Sequence, residues 1–232
     1  LLDRGLRPGK LLPLDDDALD ELEASLKNAA LPQADKAISG MLDAVRSADA
    51  AQIEDLLRRL YQQQGMKKFI NTTVVPLLDA VGSQWASGEL QIYQEHFLSE
   101  QLNRLLNAEI AVMQKNAKKP LVLLATLPGE EHTLGLLMVA AMLSAHGIAI
   151  INVGGEVPMD QIVRAAQQIN ADIVGVTFSG AYQYKNIRPH LVELRMQIPE
   201  DIDIWTGGEG VHRMRKLPAG ITRFRSLEHL PL

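Results

Sequence analysis

One histidine stands where it could hold a metal. His132 follows Glu130 by two residues and precedes Gly135 by three, in the run from Leu127 to Gly135. A neutral imidazole offers one ring nitrogen to a metal. A carboxylate that accepts from the other nitrogen fixes the tautomer and raises the basicity of the ligand. Glu130 is placed to do this, and Gly135 lets a bulky ligand approach the backbone. Alone, the triplet equally describes a histidine among helix-favouring carboxylates at a helix start. Three other loops change the balance. Gly154 and Gly155 follow Val153, Ser179 and Gly180 follow Thr177 and Phe178, and Gly207 and Gly208 follow Thr206. Glycines and hydroxyls at successive strand ends predict a deep slot lined by backbone and small donors. Neither the G-x-G-x-x-G fingerprint nor the P-loop pattern occurs, so neither a dinucleotide nor a P-loop phosphate site is indicated.

A second constellation precedes the first. Trp85 is followed by nine residues and then by Glu95 and His96. An indole with a carboxylate and an imidazole makes a flat apolar lid with polar handles. Such a lid suits a nucleoside: the ring stacks on the base and the polar groups bond the ribose and ring nitrogens. In isolation the same residues also describe a half-buried Trp at a helix end and a polar helix start.

Two kinds of element must position these groups. Residues 11 to about 118 read as helical. Asp15 to Asp17 can cap a first short helix through Leu26. Ile38, Met41, Leu42 and Val45 form one stripe, and Ile53, Leu56, Leu57, Leu60 and Tyr61 another, at helical spacing. Gly65 ends that helix. Phe69 to Trp85 carries a third stripe with Pro76 as a kink, and Tyr93 to Met113 is a long fourth helix. Short connections between these four helices predict an antiparallel bundle. At Lys118-Lys119-Pro120 the periodicity changes. Strands at Leu121–Ala125, Ile148–Val153, Asp172–Phe178 and Ile202–Trp205, with a fifth at Thr222–Phe224, alternate with helices at Leu134–His146, Met159–Ile169 and Asn186–Gln197. This alternation predicts α plus α/β: a four-helix bundle followed by a doubly wound, Rossmann-like parallel sheet. In such sheets ligands bind beyond the carboxyl ends of the strands. The loops concerned are Thr126–Thr133, Gly154–Pro158, Ser179–Lys185 and Thr206–Gly210.

Composition excludes several classes. Of 232 residues, 47% are hydrophobic and 22% charged, which rules out disorder, collagen and coiled coil as overall classes. The apolar runs fall far short of the ~20 residues a membrane span needs. Cysteine is absent, which excludes disulfides, thiolate metal sites and cysteine nucleophiles, and fits a cytoplasmic protein. The chain begins with Leu1, which reads as a truncation point. Its first ten residues are locally basic through Arg4, Arg7 and Lys10.

The second half resembles the cobalamin-binding domain of methionine synthase and the corrinoid mutases. The resemblance rests on Glu130-x-His132-x-x-Gly135, Ser179 and Gly207-Gly208, where that family has Asp-x-His-x-x-Gly, a Ser-containing loop and Gly-Gly. It implies that His132 is the lower ligand of cobalt and that the displaced nucleotide tail fills the slot. Two positions depart from the pattern: Glu130 is one methylene longer than Asp, and Ala181 replaces the usual Leu two after the Ser. Trp85-x9-Glu95-His96 resembles the adenosyl-capping motif of the CarH and LitR photoreceptors, MerR-family repressors with a DNA-binding head, a helical bundle and a cobalamin domain. That resemblance implies adenosylcobalamin as cofactor and a light-sensing repressor without turnover. It also implies operator DNA as partner through a head missing here, and a homo-oligomer, a tetramer in the dark. The implied organisation is a head remnant at 1–12, a bundle at 13–117 and a cobalamin domain at 118–232. Ala86 stands where some of these photoreceptors have a cobalt-ligating histidine, so that ligation is not open to this chain. A corrinoid carrier of a methyltransferase, or a cobalamin-sensing regulator without photochemistry, shares the same two parts. With a net charge of -5 and no recognition helix, the 232 residues should show no sequence-selective DNA binding in a mobility-shift assay, because basic groups must replace the phosphate counterions.

Overall fold

The computed structural model describes residues 33–224. The expected helix after Asp15–Asp17 and the segment 1–12 lie outside them. Four helices come first: α1 (Gln33–Arg46), α2 (Ala50–Phe69), α3 (Val75–Ala86) and α4 (Ile92–Met113). Asp49 caps α2, its carboxylate accepting from the Gln52 N–H at 3.0 Å. Gly65, at φ 69°, breaks the helical geometry of α2 where the sequence predicts its end. A π turn at Ile70–Val74 then leads into α3. Pro76 lies just after that π turn, in a backbone that stays helical through Phe69, Val74 and Val75, so the irregularity falls where the sequence predicts a kink. Proline lacks an N–H and its ring crowds the preceding turn, and the wider π turn accommodates both. Gln91 and Gln94 cap each other at the start of α4. The Gln94 amide also donates to the Arg46 carbonyl at 2.6 Å, joining that end to α1.

The second half is a five-stranded sheet of β1 (Lys118–Ala125), β2 (Ile148–Asn152), β3 (Ile173–Thr177), β4 (Asp203–Gly207) and β5 (Ile221–Arg223). All pairings are parallel and the order is β2-β1-β3-β4-β5. Between the strands run α5 (Leu134–Ala145), α6 (Met159–Gln168), α7 (Tyr184–Gln197) and the short α8 (Glu209–His212). Three expectations need correction. Thr206 and Gly207 belong to β4, because they pair with Val176 and Thr177, not to a loop. The last strand ends at Arg223, one residue before Phe224. α7 starts at Tyr184, so the preceding loop is shorter than Ser179–Lys185. Among the described residues no helix is long and apolar enough to cross a membrane.

One face of the sheet is covered by α6 and α7, whose Ile162, Ala166, Ile187, Leu191 and Leu194 pack on Leu123, Val174, Val176 and Ile204. The other face carries α5. This helix is apolar on every side: Leu136, Leu137, Val139, Ala140, Ala141, Met142 and Leu143 are all buried. A helix that is hydrophobic all round must be covered all round. The sheet covers one side of α5, and the bundle covers the other with Leu98, Leu102, Leu105 and Leu106 of α4 and Ile53 and Leu57 of α2, in one continuous core. Each fully buried Leu or Val contributes about 1.5–3 kcal/mol.

The bundle is also latched to the sheet by one amide. Gln114, in the 3₁₀ turn Gln114–Asn116 after α4, donates from Nε2 to the Ile148 carbonyl at 2.9 Å and to Ser144 Oγ at 2.8 Å. Its Oε1 accepts from the Ile150 N–H at 3.0 Å. β2 is an edge strand, so the amide plays the part of a neighbouring strand there. Gln114→Leu leaves these groups unpaired and should lower unfolding stability by about 1–3 kcal/mol in urea titration. An unchanged midpoint and slope would contradict the latch.

Candidate functional site

β1 has β2 on one side and β3 on the other. The connections leaving the carboxyl ends of β1 and β3 therefore diverge, and this is the switch point where open α/β sheets bind ligands. The expected residues meet there. Glu130 is buried, although a carboxylate out of water costs several kcal/mol unless it is fully hydrogen-bonded. Its oxygens supply what is needed from two loops. Oε2 accepts from the Ser179 N–H at 2.6 Å, and Oε1 accepts from the His132 N–H at 2.9 Å and from Ser179 Oγ at 3.0 Å. His132 Nδ1 lies 3.0 Å from the same Oε1. With the carboxylate accepting there, Nδ1 carries the proton and Nε2 presents its lone pair. The His132 side chain is 64% exposed, so that lone pair faces an accessible space. Among the described residues no group of three or more His, Asp or Glu is gathered to hold a metal ion. One imidazole suits a metal that arrives with most of its own ligands.

Thr126 was not foreseen as part of the site. Its hydroxyl is buried, donates to the Glu130 carbonyl at 2.6 Å and accepts from the Glu156 N–H at 2.9 Å. It ties the Gly154–Pro158 loop to the His132 loop. Gly154, at φ 85°, begins that loop, and its carbonyl accepts from the Thr126 N–H at 3.0 Å. Thr126 could have been noticed as a hydroxyl at the end of an apolar strand, but its two partners are visible only in three dimensions.

The remaining expected residues fall into two groups. Thr177 closes β3, and its buried hydroxyl finds no partner, as does that of Thr206. Gly180 lies under the Glu209 carboxylate, and Gly207 under the Phe224 ring. At Gly208, φ is 93° and a Cβ would lie 2.3 Å from the Phe178 carbonyl oxygen, so only glycine fits. These three glycines serve close packing of backbone, whereas Gly135 faces open space, with nothing within 4 Å of an added Cβ. Trp85 ends α3, and Glu95 and His96 lie in the first turns of α4. Glu95 accepts from Ser99 Oγ at 2.8 Å, and its other oxygen lies 2.9 Å from His96 Nδ1. Trp85 is 52% exposed and Ile92 and Tyr93 about as much, an apolar surface at one end of the bundle. No hydrogen bond joins this group to the Glu130 site among the described residues.

Comparison with known proteins bears on both parts of the chain. Residues 120–221 match the B12 binding domain family, and residues 37–108 match a second B12 binding domain family. The HTH-type transcriptional repressor CarH of Myxococcus xanthus is 29% identical over 204 residues, covering 86% of this chain and 67% of the repressor. A corrinoid protein of Desulfitobacterium hafniense is 26% identical over 150 residues, covering 60% of this chain and 69% of that protein. The solved monomethylamine corrinoid protein of Methanosarcina barkeri superposes with a TM-score of 0.64 at 17% identity, over 81% of this chain and 92% of that one, a likeness of fold.

The donor set fits cobalamin. One outward-facing imidazole is backed by a buried carboxylate, the face at Gly135 is open, and Thr177 ends its strand with an unpartnered hydroxyl. Replacing the carboxylate removes the tautomer lock, so Glu130→Gln should weaken hydroxocobalamin about 10- to 100-fold. Equilibrium titration followed by absorbance measures this, and wild-type affinity would show that Glu130 does not act through His132. The helical part and the α/β part thus each match a B12 binding domain family, and the chain is consistent with a CarH-type sensory region.

Proposed function

We propose that the chain is the sensory region of an adenosylcobalamin-dependent, light-responsive transcriptional repressor. The observation that carries this reading is the bundle-end surface of Trp85, Ile92 and Tyr93 beside the paired Glu95 and His96. A large flat apolar surface with polar handles is more than a methyl group could use, and it suits an adenosyl group. The similarity to a protein named as an HTH-type repressor supports the same reading.

In this proposal His132, backed by Glu130 and Ser179, would hold the cobalt, and Gly154, Thr177 and the close-packed strand ends at Gly180, Gly207 and Gly208 would leave room for the nucleotide tail. Bound adenosylcobalamin supplies a light-labile cobalt–carbon bond. Trp85 covers the adenine, and Glu95 and His96 bond its polar edge. Without an adenosyl group against them, Trp85, Ile92 and Tyr93 would face water, which is unfavourable. The bundle is then biased towards another arrangement against the sheet. This makes it a two-state element whose populations follow the ligand. The oligomer, a tetramer in the dark, and its hold on operator DNA through a head domain follow that bias. The chain binds and signals and catalyses no turnover.

A second reading has its own support. The likeness to corrinoid proteins in sequence and fold fits a methyl carrier for a methyltransferase. One experiment separates the two. The chain loaded with adenosylcobalamin should change its absorption spectrum and its elution volume after green light. Trp85→Ala should lower affinity for adenosylcobalamin roughly tenfold or more, the size of a lost stack, with methylcobalamin little affected. A preference for methylcobalamin, with elution indifferent to the upper ligand, would favour the carrier.

A further inference from the structure

Tyr182 has no place in the site as described so far, yet it touches that site's foundation. It lies three residues after Ser179, in the loop between β3 and α7, and is buried. Its ring stands edge-on to Phe178 with centroids 5.0 Å apart. One ring carbon is 3.6 Å from where a Cβ of Gly129 would be. Its hydroxyl donates to the Pro128 carbonyl at 3.3 Å and lies 2.7 Å from His190 Nδ1 on α7. One arrangement satisfies both contacts with a single phenol proton: His190 Nδ1–H donates to the phenol oxygen, and the phenol donates to Pro128. Burial, and then the charge of Glu130, push the phenol pKa above its usual value, so it remains a donor.

The contacts fall on the turn that begins the His132 loop. Pro128 and Gly129 form the corner closed by the Glu130 N–H to Leu127 carbonyl bond at 3.0 Å. The Gly129 N–H reaches the Glu156 carboxylate at 3.4 Å on the far side. Glu130 and His132 follow within three residues. The height of this corner sets where the Glu130 carboxylate enters and therefore which way the imidazole points. A metal–ligand bond of fixed length and direction is sensitive to such small displacements.

We propose that Tyr182, oriented by His190, is a positioning residue that holds the Pro128–Gly129 corner so that His132 can reach cobalt. The proposal rests on His132 being the lower ligand. Tyr182 does not contact the metal; it acts through the corner, and its effect appears in the histidine–cobalt bond.

The test uses the whole chain loaded with hydroxocobalamin and then reduced to the cobalt(II) form. With the histidines of the protein labelled with nitrogen-15, electron paramagnetic resonance shows whether the axial nitrogen on cobalt is the protein's, which splits each line into a doublet, or that of the cofactor's own base, which gives a triplet. Tyr182→Phe removes one oxygen, and His190→Gln removes the group that orients it. Each should reduce the protein-nitrogen-split fraction and weaken hydroxocobalamin about tenfold, with circular dichroism unchanged. Full protein-nitrogen splitting and wild-type affinity in both variants would overturn the proposal. If Tyr182→Phe does not fold, His190→Gln decides on the same readouts. His132→Ala separates the two layers of the argument: protein-nitrogen splitting that survives in it overturns the ligand assignment itself, whereas protein-nitrogen splitting lost there and retained in the other two overturns only the role of Tyr182.

Discussion

The site depends on one buried carboxylate. Glu130 sits where two loops of diverging connections meet, and a charge in that position must be fully hydrogen-bonded. The donors come from His132 on one side and Ser179 on the other. The bonds that keep the carboxylate satisfied thus also fix the distance between the β1 and β3 loops and the orientation of the imidazole. The extra methylene of Glu over Asp lengthens the reach from the β1 loop, and the Ser179 backbone is at the end of it. The Thr126 hydroxyl does the same for the third loop, through the Glu130 carbonyl.

The same loop leads straight into α5, two residues after His132. This helix belongs to both halves, since its apolar surface is buried against the sheet and against α2 and α4. Close-packed interiors transmit displacement instead of absorbing it. A shift at His132 therefore reaches the bundle through α5 without a flexible joint between them. Trp85 lies at the end of α3, and Glu95 and His96 at the start of α4, in the same bundle.

Much of this was legible in the sequence, for reasons that differ by element. The stripes Ile53-Leu57 and Leu98-Leu102-Leu105 announce helices because one face is buried and the other solvated. The apolar strands announce a sheet covered on both faces, because alternation is lost there. The pairing of Glu130 with His132 was legible because both partners lie within three residues. Thr126, Tyr182 and Gln114 were not. Their long-range partners are 30 to 54 residues away, and only the crossover order of the strands brings them together. The irregularity expected at Pro76 takes the form of the π turn at Ile70–Val74, a form that has no simple residue signature.

Gln114 has a further consequence. Exposed edge strands invite pairing with another chain, and proteins cover them for that reason. Here the cover on β2 is a side chain belonging to the end of the bundle. Any rearrangement that lifted the bundle away at this point would bare the edge and make the sheet adhesive. Keeping that edge covered therefore ties the C-terminal end of α4 to β2, while the end of α4 that carries Glu95 and His96 is the one remote from this tie.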